Sequence, residues 1–111
     1  MIEIVILNHL KGKLEIPVLM EKPEPLLPEY VLFEKTSSGR TNKLSSATFA
    51  FQSYSGSLYK AALLNEQVKS AVDSLVEIAE VSGVRLNSDY NFTDAATKQY
   101  RYQAVYDINH Y

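Results

Sequence analysis

The sequence predicts an α+β fold: a mainly antiparallel or mixed sheet of about five strands, one long helix packed on a face, and a short N-terminal helix. Three observations point there. Between positions 58 and 76, Leu64, Val68, Val72 and Leu75 recur at helical spacing, with Ala61 and Ala71 beside them. From Gln99 to His110, Tyr100, Tyr102, Ala104, Tyr106 and Ile108 alternate with Arg101, Gln103, Val105, Asp107 and Asn109, the period-two pattern of a half-buried strand. All four prolines fall between Pro17 and Pro28, and the glycines (Gly12, Gly39, Gly56, Gly83) are spaced like joints between elements. A long amphipathic helix laid on a sheet buries both apolar surfaces at once. With 111 residues, 46% of them apolar, there is material for one core and not for two, so residues 1–111 are expected to form a single domain.

Each element has its own justification. In residues 2–11, Ile2, Val5, Ile6, Leu7 and Leu10 approximate a helical stripe with Gly12 as its stop, although the β-branched content also allows a strand. Leu14–Met20 suits a short strand that Pro17 confines to an edge. Glu21–Pro28 is an irregular loop, because each proline lacks the N–H that helix or sheet would use. Tyr30–Lys35 is apolar enough for a central strand. Polar Thr36–Lys43 is expected as a loop. Leu44–Tyr54 follows as a strand with Ala47, Phe49 and Phe51 on one face, which gives a hairpin with a long tip. Ser55 or Ser57 caps the helix Leu58–Val76, on which Lys69 and Asp73 stand one turn apart. Ile78–Phe92 is a long strand with a kink at Ser82-Gly83. Thr93–Lys98 turns the chain into the alternating strand, which closes an antiparallel hairpin.

Composition excludes several classes of function. The chain has no cysteine, so disulfides, thiolate metal sites and cysteine catalysis are out. A net charge of −2 suits neither an acidic disordered tail nor direct, sequence-specific nucleic-acid binding. No stretch approaches the roughly 20 apolar residues of a membrane span, and the short apolar start at Met1–Leu10 lacks the basic residues and cleavage site of a secretory signal. The expectation is a soluble, cytoplasmic protein. His9 and His110 stand at opposite ends with no metal-ligand spacing. There is no Gly-x-Ser-x-Gly elbow and no Gly-rich phosphate loop. Glu34, between Phe33 and Lys35, comes closest to an acid in an apolar run, and an ion pair accounts for it. No catalytic residue, metal or cofactor is therefore expected.

Charge is unevenly distributed. From Glu15 to Glu34 there are five acids and one base, whereas Lys35 to Lys43 holds Lys35, Arg40 and Lys43 and no acid. Such a chain could join copies head-to-tail, the heterologous arrangement that closes into rings. A solvated surface of uneven charge is the simpler reading of the same residues. Tyr100, Tyr102 and Tyr106 are expected as core against the long helix. Tyr90 and Tyr111 lie outside that stripe and are candidates for contacts between subunits.

Asn87-Ser88-Asp89-Tyr90-Asn91-Phe92-Thr93-Asp94 and Lys98-Gln99-Tyr100-Arg101-Tyr102-Gln103-Ala104-Val105-Tyr106-Asp107 resemble the C-terminal hairpin of small tail proteins from long-tailed phages and prophages of Gram-positive bacteria. Glu34-Lys35-Thr36 and Gln52-Ser53-Tyr54-Ser55 are similar to the same group, and the likeness extends from Pro17 to the end. These are tail terminators, also called tail-completion or head–tail joining proteins. The resemblance implies a small α/β fold and a non-enzymatic virion component, assembled in the host cytoplasm. It also implies a ring, usually a hexamer, on the head-proximal end of the tail, touching the tail tube protein and the head connector. The family has no site motif to carry over. From the residues themselves, partner contact is expected at Arg40, Asn42 and Lys43, and at Tyr90 and Tyr111. Other readings are a different head–tail connector or tail component, a prophage regulator, or a small α/β ligand-binding protein or enzyme.

Overall fold

A computed structural model describes residues 1–94, 96 and 99–111 of the chain. Part of the expected Thr93–Lys98 turn, including Lys98 of the family-like segment, lies outside the described residues. The elements follow in the order α1 (Ile2–Lys13), β1 (Val18–Leu19), β2 (Tyr30–Thr41), β3 (Leu44–Ser55), α2 (Leu58–Asp73), a 3₁₀ turn (Ser74–Glu77), β4 (Val81–Asn91) and β5 (Tyr100–His110). The fold is α+β, with one five-stranded mixed sheet in the order β1-β2-β3-β5-β4. β1 runs parallel to β2 and all other neighbours are antiparallel.

The helices lie on one face of the sheet. On α1, Ile2, Ile6 and Leu10 recur every fourth residue and are buried. Gly12 does not stop this helix, which continues to Lys13 and is closed by Leu14 in extended conformation, its N–H donating to the Leu10 carbonyl at 2.9 Å. A glycine ends a helix by adopting positive φ, and no glycine here does so. On α2, Ala61, Leu64, Val68, Ala71 and Val72 face inward, and the Ser57 hydroxyl accepts the Lys60 N–H at 3.2 Å as the N-terminal cap. The expected helix to Val76 is three residues too long. The Ser74 hydroxyl donates to the Ala71 carbonyl at 2.7 Å, and from there the chain tightens into the 3₁₀ turn. That turn buries Leu75 completely and leaves Val76 exposed.

From the sheet, Val31, Phe33, Phe49, Phe51, Tyr106 and Ile108 meet these helices in one core cluster. Phe33 stacks on Phe51 at 5.6 Å, and Phe51 meets Tyr106 edge-on at 5.9 Å. Of the tyrosine stripe only Tyr106 belongs to the core, since Tyr102 is half-buried and Tyr100 exposed. The two outer tyrosines stand near the start of β5, opposite Ser55 and Ser53 of β3. Strand β4 begins three residues later than expected. The expected irregularity at Ser82-Gly83 is present as a register shift between Val81 and Gly83, and a second follows between Leu86 and Ser88.

Two expectations about charge are corrected. Lys69 does not pair with Asp73 along the helix. It reaches Asp89 on β4 at 2.9 Å and Glu66 at 3.0 Å, which leaves Asp73 to accept the Tyr106 hydroxyl at 2.9 Å. Lys35 does not pair with its neighbour Glu34 but with Glu3 of α1 at 3.2 Å, because successive strand residues point to opposite faces.

The largest correction concerns Thr36–Lys43. It is not a loop. β2 continues to Thr41, pairs with β3 as far as Leu44, and turns through Asn42 and Lys43 alone. Those two residues have φ of 52° and 67°, the positive pair that a two-residue hairpin turn of type I′ requires. The strand escapes notice in the sequence because every side chain from Glu34 to Lys43 is exposed. It has no hydrophobic alternation and is held by the ladder to β3. At its near end the Lys35–Glu3 ion pair helps, as does the Thr36 hydroxyl, which donates to the Thr48 carbonyl at 3.2 Å.

Candidate interaction surface

The β2–β3 hairpin forms a free corner of the sheet. Strand β1 pairs with β2 only at Val31 and Leu32, so beyond them the outer edge of β2 has no strand partner among the described residues. Helix α1 meets β2 last through the Glu3–Lys35 ion pair. From Thr36 onward this strand is uncovered on both faces and along its edge, and Arg40, Asn42 and Lys43 sit at its far end. Neither Arg40 nor Lys43 makes an ion pair among the described residues. Ser45 is level with His110, so Tyr111, 79% exposed, stands at the same end of the sheet as the basic turn.

Tyr90 is elsewhere. It is paired across β5 with Gln103, which is level with Gln52 and hence with Leu32, about 30 Å from the turn at the usual strand rise. Its hydroxyl is already engaged by Gln103 Nε2 at 2.5 Å. The expected contact residues therefore divide into a corner of Arg40, Asn42, Lys43 and Tyr111, and a separate position at Tyr90.

Around Tyr90 the face of the sheet opposite the helices carries a polar and aromatic network. Gln52 Nε2 donates to Gln103 Oε1 at 2.8 Å, the Tyr54 hydroxyl donates to Gln52 Oε1 at 3.1 Å, and Arg101 Nη1 donates to the Tyr54 hydroxyl at 2.7 Å. Tyr54 stacks on Tyr30 at 4.4 Å, and the Arg101 guanidinium lies 4.3 Å over the Phe92 ring. Each polar member of this chain is anchored by the next, as a structural network requires.

A groove of about 660 Å³ opens between the end of α1, the middle of α2 and the residue before β2. Lys13, Glu15, Glu29, Gln67, Ser70 and Ser74 are among the residues that line it. One oxygen of Glu29 accepts the Ser55 hydroxyl at 2.8 Å, and Glu15 has no ion-pair partner among the described residues. In sequence the two glutamates were visible only as members of an acid-rich stretch. They come to line one groove only through the fold, in which α1 packs on α2 and β1.

The remaining titratable groups are accounted for by packing. Asp89 and then Glu66 hold the Lys69 ammonium above its ordinary pKa. Burial, reinforced by Asp73, raises the Tyr106 phenol. His9, whose Nε2 lies 2.7 Å from the Ser74 hydroxyl, is lowered by burial and by nearby Lys13. Among the described residues no group of three His, Cys, Asp or Glu side chains is placed to hold a metal ion, and no helix is long and apolar enough to cross a membrane. No family model matches the chain, and no curated protein matches it.

Proposed function

We propose that this protein is a non-enzymatic component of a phage or prophage tail, which assembles as a ring of the six copies implied by the resemblance, caps the tail tube and joins it to the head. The resemblance of the 87–107 hairpin to tail-completion proteins gives the reading its family. The observation that carries it structurally is the free corner of the β2–β3 hairpin. The segment from Glu34 to Lys43 gives no side chain to the core, yet it is held in strand as far as Thr41 and carries at its end two cations, Arg40 and Lys43, that make no ion pair among the described residues. A surface of this kind stays soluble until it meets a partner and then offers both side chains and an open strand edge.

In this reading the ring matches the last ring of the tube on one side and offers the head connector a different surface on the other. The protein acts in the host cytoplasm during assembly and ends in the virion. Reversal of both cations, Arg40→Glu with Lys43→Glu, is expected to impair tail joining while leaving the circular dichroism spectrum and melting temperature nearly unchanged. Deleting the gene from the inducible phage and imaging the lysate by electron microscopy tests the role itself. Overlong or headless tails support it, and normal virions reject it.

A further inference from the structure

We infer that the basic turn of the β2–β3 hairpin docks in the groove between α1 and α2 of a second copy of this chain. This rests on the ring reading and names its contact. Three observations converge.

The first is charge. The turn carries Arg40 and Lys43 with no ion-pair partner among the described residues. The groove presents Glu15 and Glu29 against the single cation Lys13, so the turn meets an excess of opposite sign.

The second is position. Glu29 immediately precedes β2 and the turn follows its last residue, Thr41. Twelve residues of strand separate them by about 40 Å. The molecule is 44 Å in its longest dimension. A chain cannot fill its own groove with its own turn across that distance, whereas a neighbour displaced along the strand direction can.

The third is shape. A groove of about 660 Å³ lies within the about 300–1,000 Å³ of small-molecule pockets, room enough for the side chains of a two-residue turn. The turn is two residues wide and overhangs β5, whose last residue His110 is level with Ser45. The two surfaces are different, so each copy can give its turn to one neighbour and its groove to another. That is the heterologous contact from which rings and filaments are built; a two-fold dimer would instead exchange both turns and both grooves reciprocally and stop at two copies.

The absence of cysteine makes the contact directly testable. Thr41→Cys places a thiol beside the turn and Ser70→Cys places one in the groove, both at exposed positions. Under mild oxidation the double variant is expected to give a reducible ladder of trimers and larger species. Each single variant gives at most dimers. Adding Arg40→Glu and Lys43→Glu is expected to lower the ladder about tenfold, the worth of two partly exposed ion pairs. A further Glu15→Lys and Glu29→Lys exchange should restore it.

A double variant that goes no further than its single-cysteine parents overturns the inference, as does a ladder indifferent to charge reversal. The outcomes separate the two proposals. Headless tails on gene deletion without a ladder reject this contact and leave the capping role intact. A charge-dependent ladder with normal virions keeps the contact and rejects the capping role.

Discussion

Lys43 occupies a position that the backbone would rather give to glycine. Its φ of 67° lies in the left-handed region, where a side chain costs about 1–2 kcal/mol, and type I′ turns favour Asn-Gly. Asn42 already fits its place, since asparagine tolerates positive φ. Lys43→Gly removes that strain but adds about 0.5–1 kcal/mol of freedom to the unfolded chain. The net gain is about 0.5–1 kcal/mol. An unfolding entropy of about 2.1 cal/mol/K per residue gives about 0.23 kcal/mol/K for this chain, so the melting temperature should rise by about 2–4 °C. Calorimetry on the wild type, Lys43→Gly and Lys43→Ala measures it. Alanine keeps the strain and loses the same charge, so it should give no gain. An equal rise in both variants would trace the effect to charge, and no rise in Lys43→Gly would refute the backbone argument. Either substitution removes one of the two cations of the corner, so for Lys43→Gly stability and assembly are expected to move in opposite directions, and for Lys43→Ala assembly alone is expected to fall.

Three further outcomes follow from the packing. Tyr106→Phe deletes the hydroxyl that Asp73 and the Lys69 carbonyl accept at 2.9 and 3.3 Å, and should cost about 1–2 kcal/mol in urea unfolding, with much of the loss absent in an Asp73→Ala background, where no side-chain acceptor remains. Asp107 is held below the ordinary aspartate pKa by the Thr48 hydroxyl first, then by Asn87 and Arg85. Its contribution is therefore present above the unfolded aspartate pKa of about 4 and is lost as pH falls through the lower folded value. Asp107→Asn should cost about 1 kcal/mol at pH 7, with the gap to wild type closing as the pH is lowered below about 4. Gly12→Ala, at an exposed helical position where an added methyl meets nothing within 4 Å, should raise stability by about 0.5 kcal/mol in thermal melts.

The fold was legible wherever a side-chain pattern reports burial. Leu64, Val68 and Val72 fixed α2, alternation fixed β5, and the element order followed. Reading failed where structure is held by backbone alone. The distal half of β2 buries no side chain, so nothing in Thr36-Ser-Ser-Gly-Arg-Thr announces a strand, and its register is imposed by β3. Failure of a second kind concerns partners. Lys69 passes over Asp73, four residues on along its helix, and pairs with Glu66 at 3.0 Å and with Asp89, twenty residues away on β4, which the fold brings to 2.9 Å. The same holds for the candidate surface. Arg40 and Lys43 were legible as a basic cluster, but the groove was not, since Glu15 and Glu29 line one groove only once the segments after α1 and before β2 are brought against α2.

The glutamine pair has a consequence for how the sheet finds its alignment. Gln52 and Gln103 bond to each other only when β3 and β5 are paired in the native register, and Tyr54, Tyr90 and Arg101 are satisfied through them. Sliding either strand by a single residue would turn these amides toward the phenylalanine side and leave them without partners, at roughly 1–3 kcal/mol for each stranded group. The pair thus works as a checksum on strand alignment: hydrophobic matching alone would forgive a slip of two residues, and this chain of amides and phenols does not.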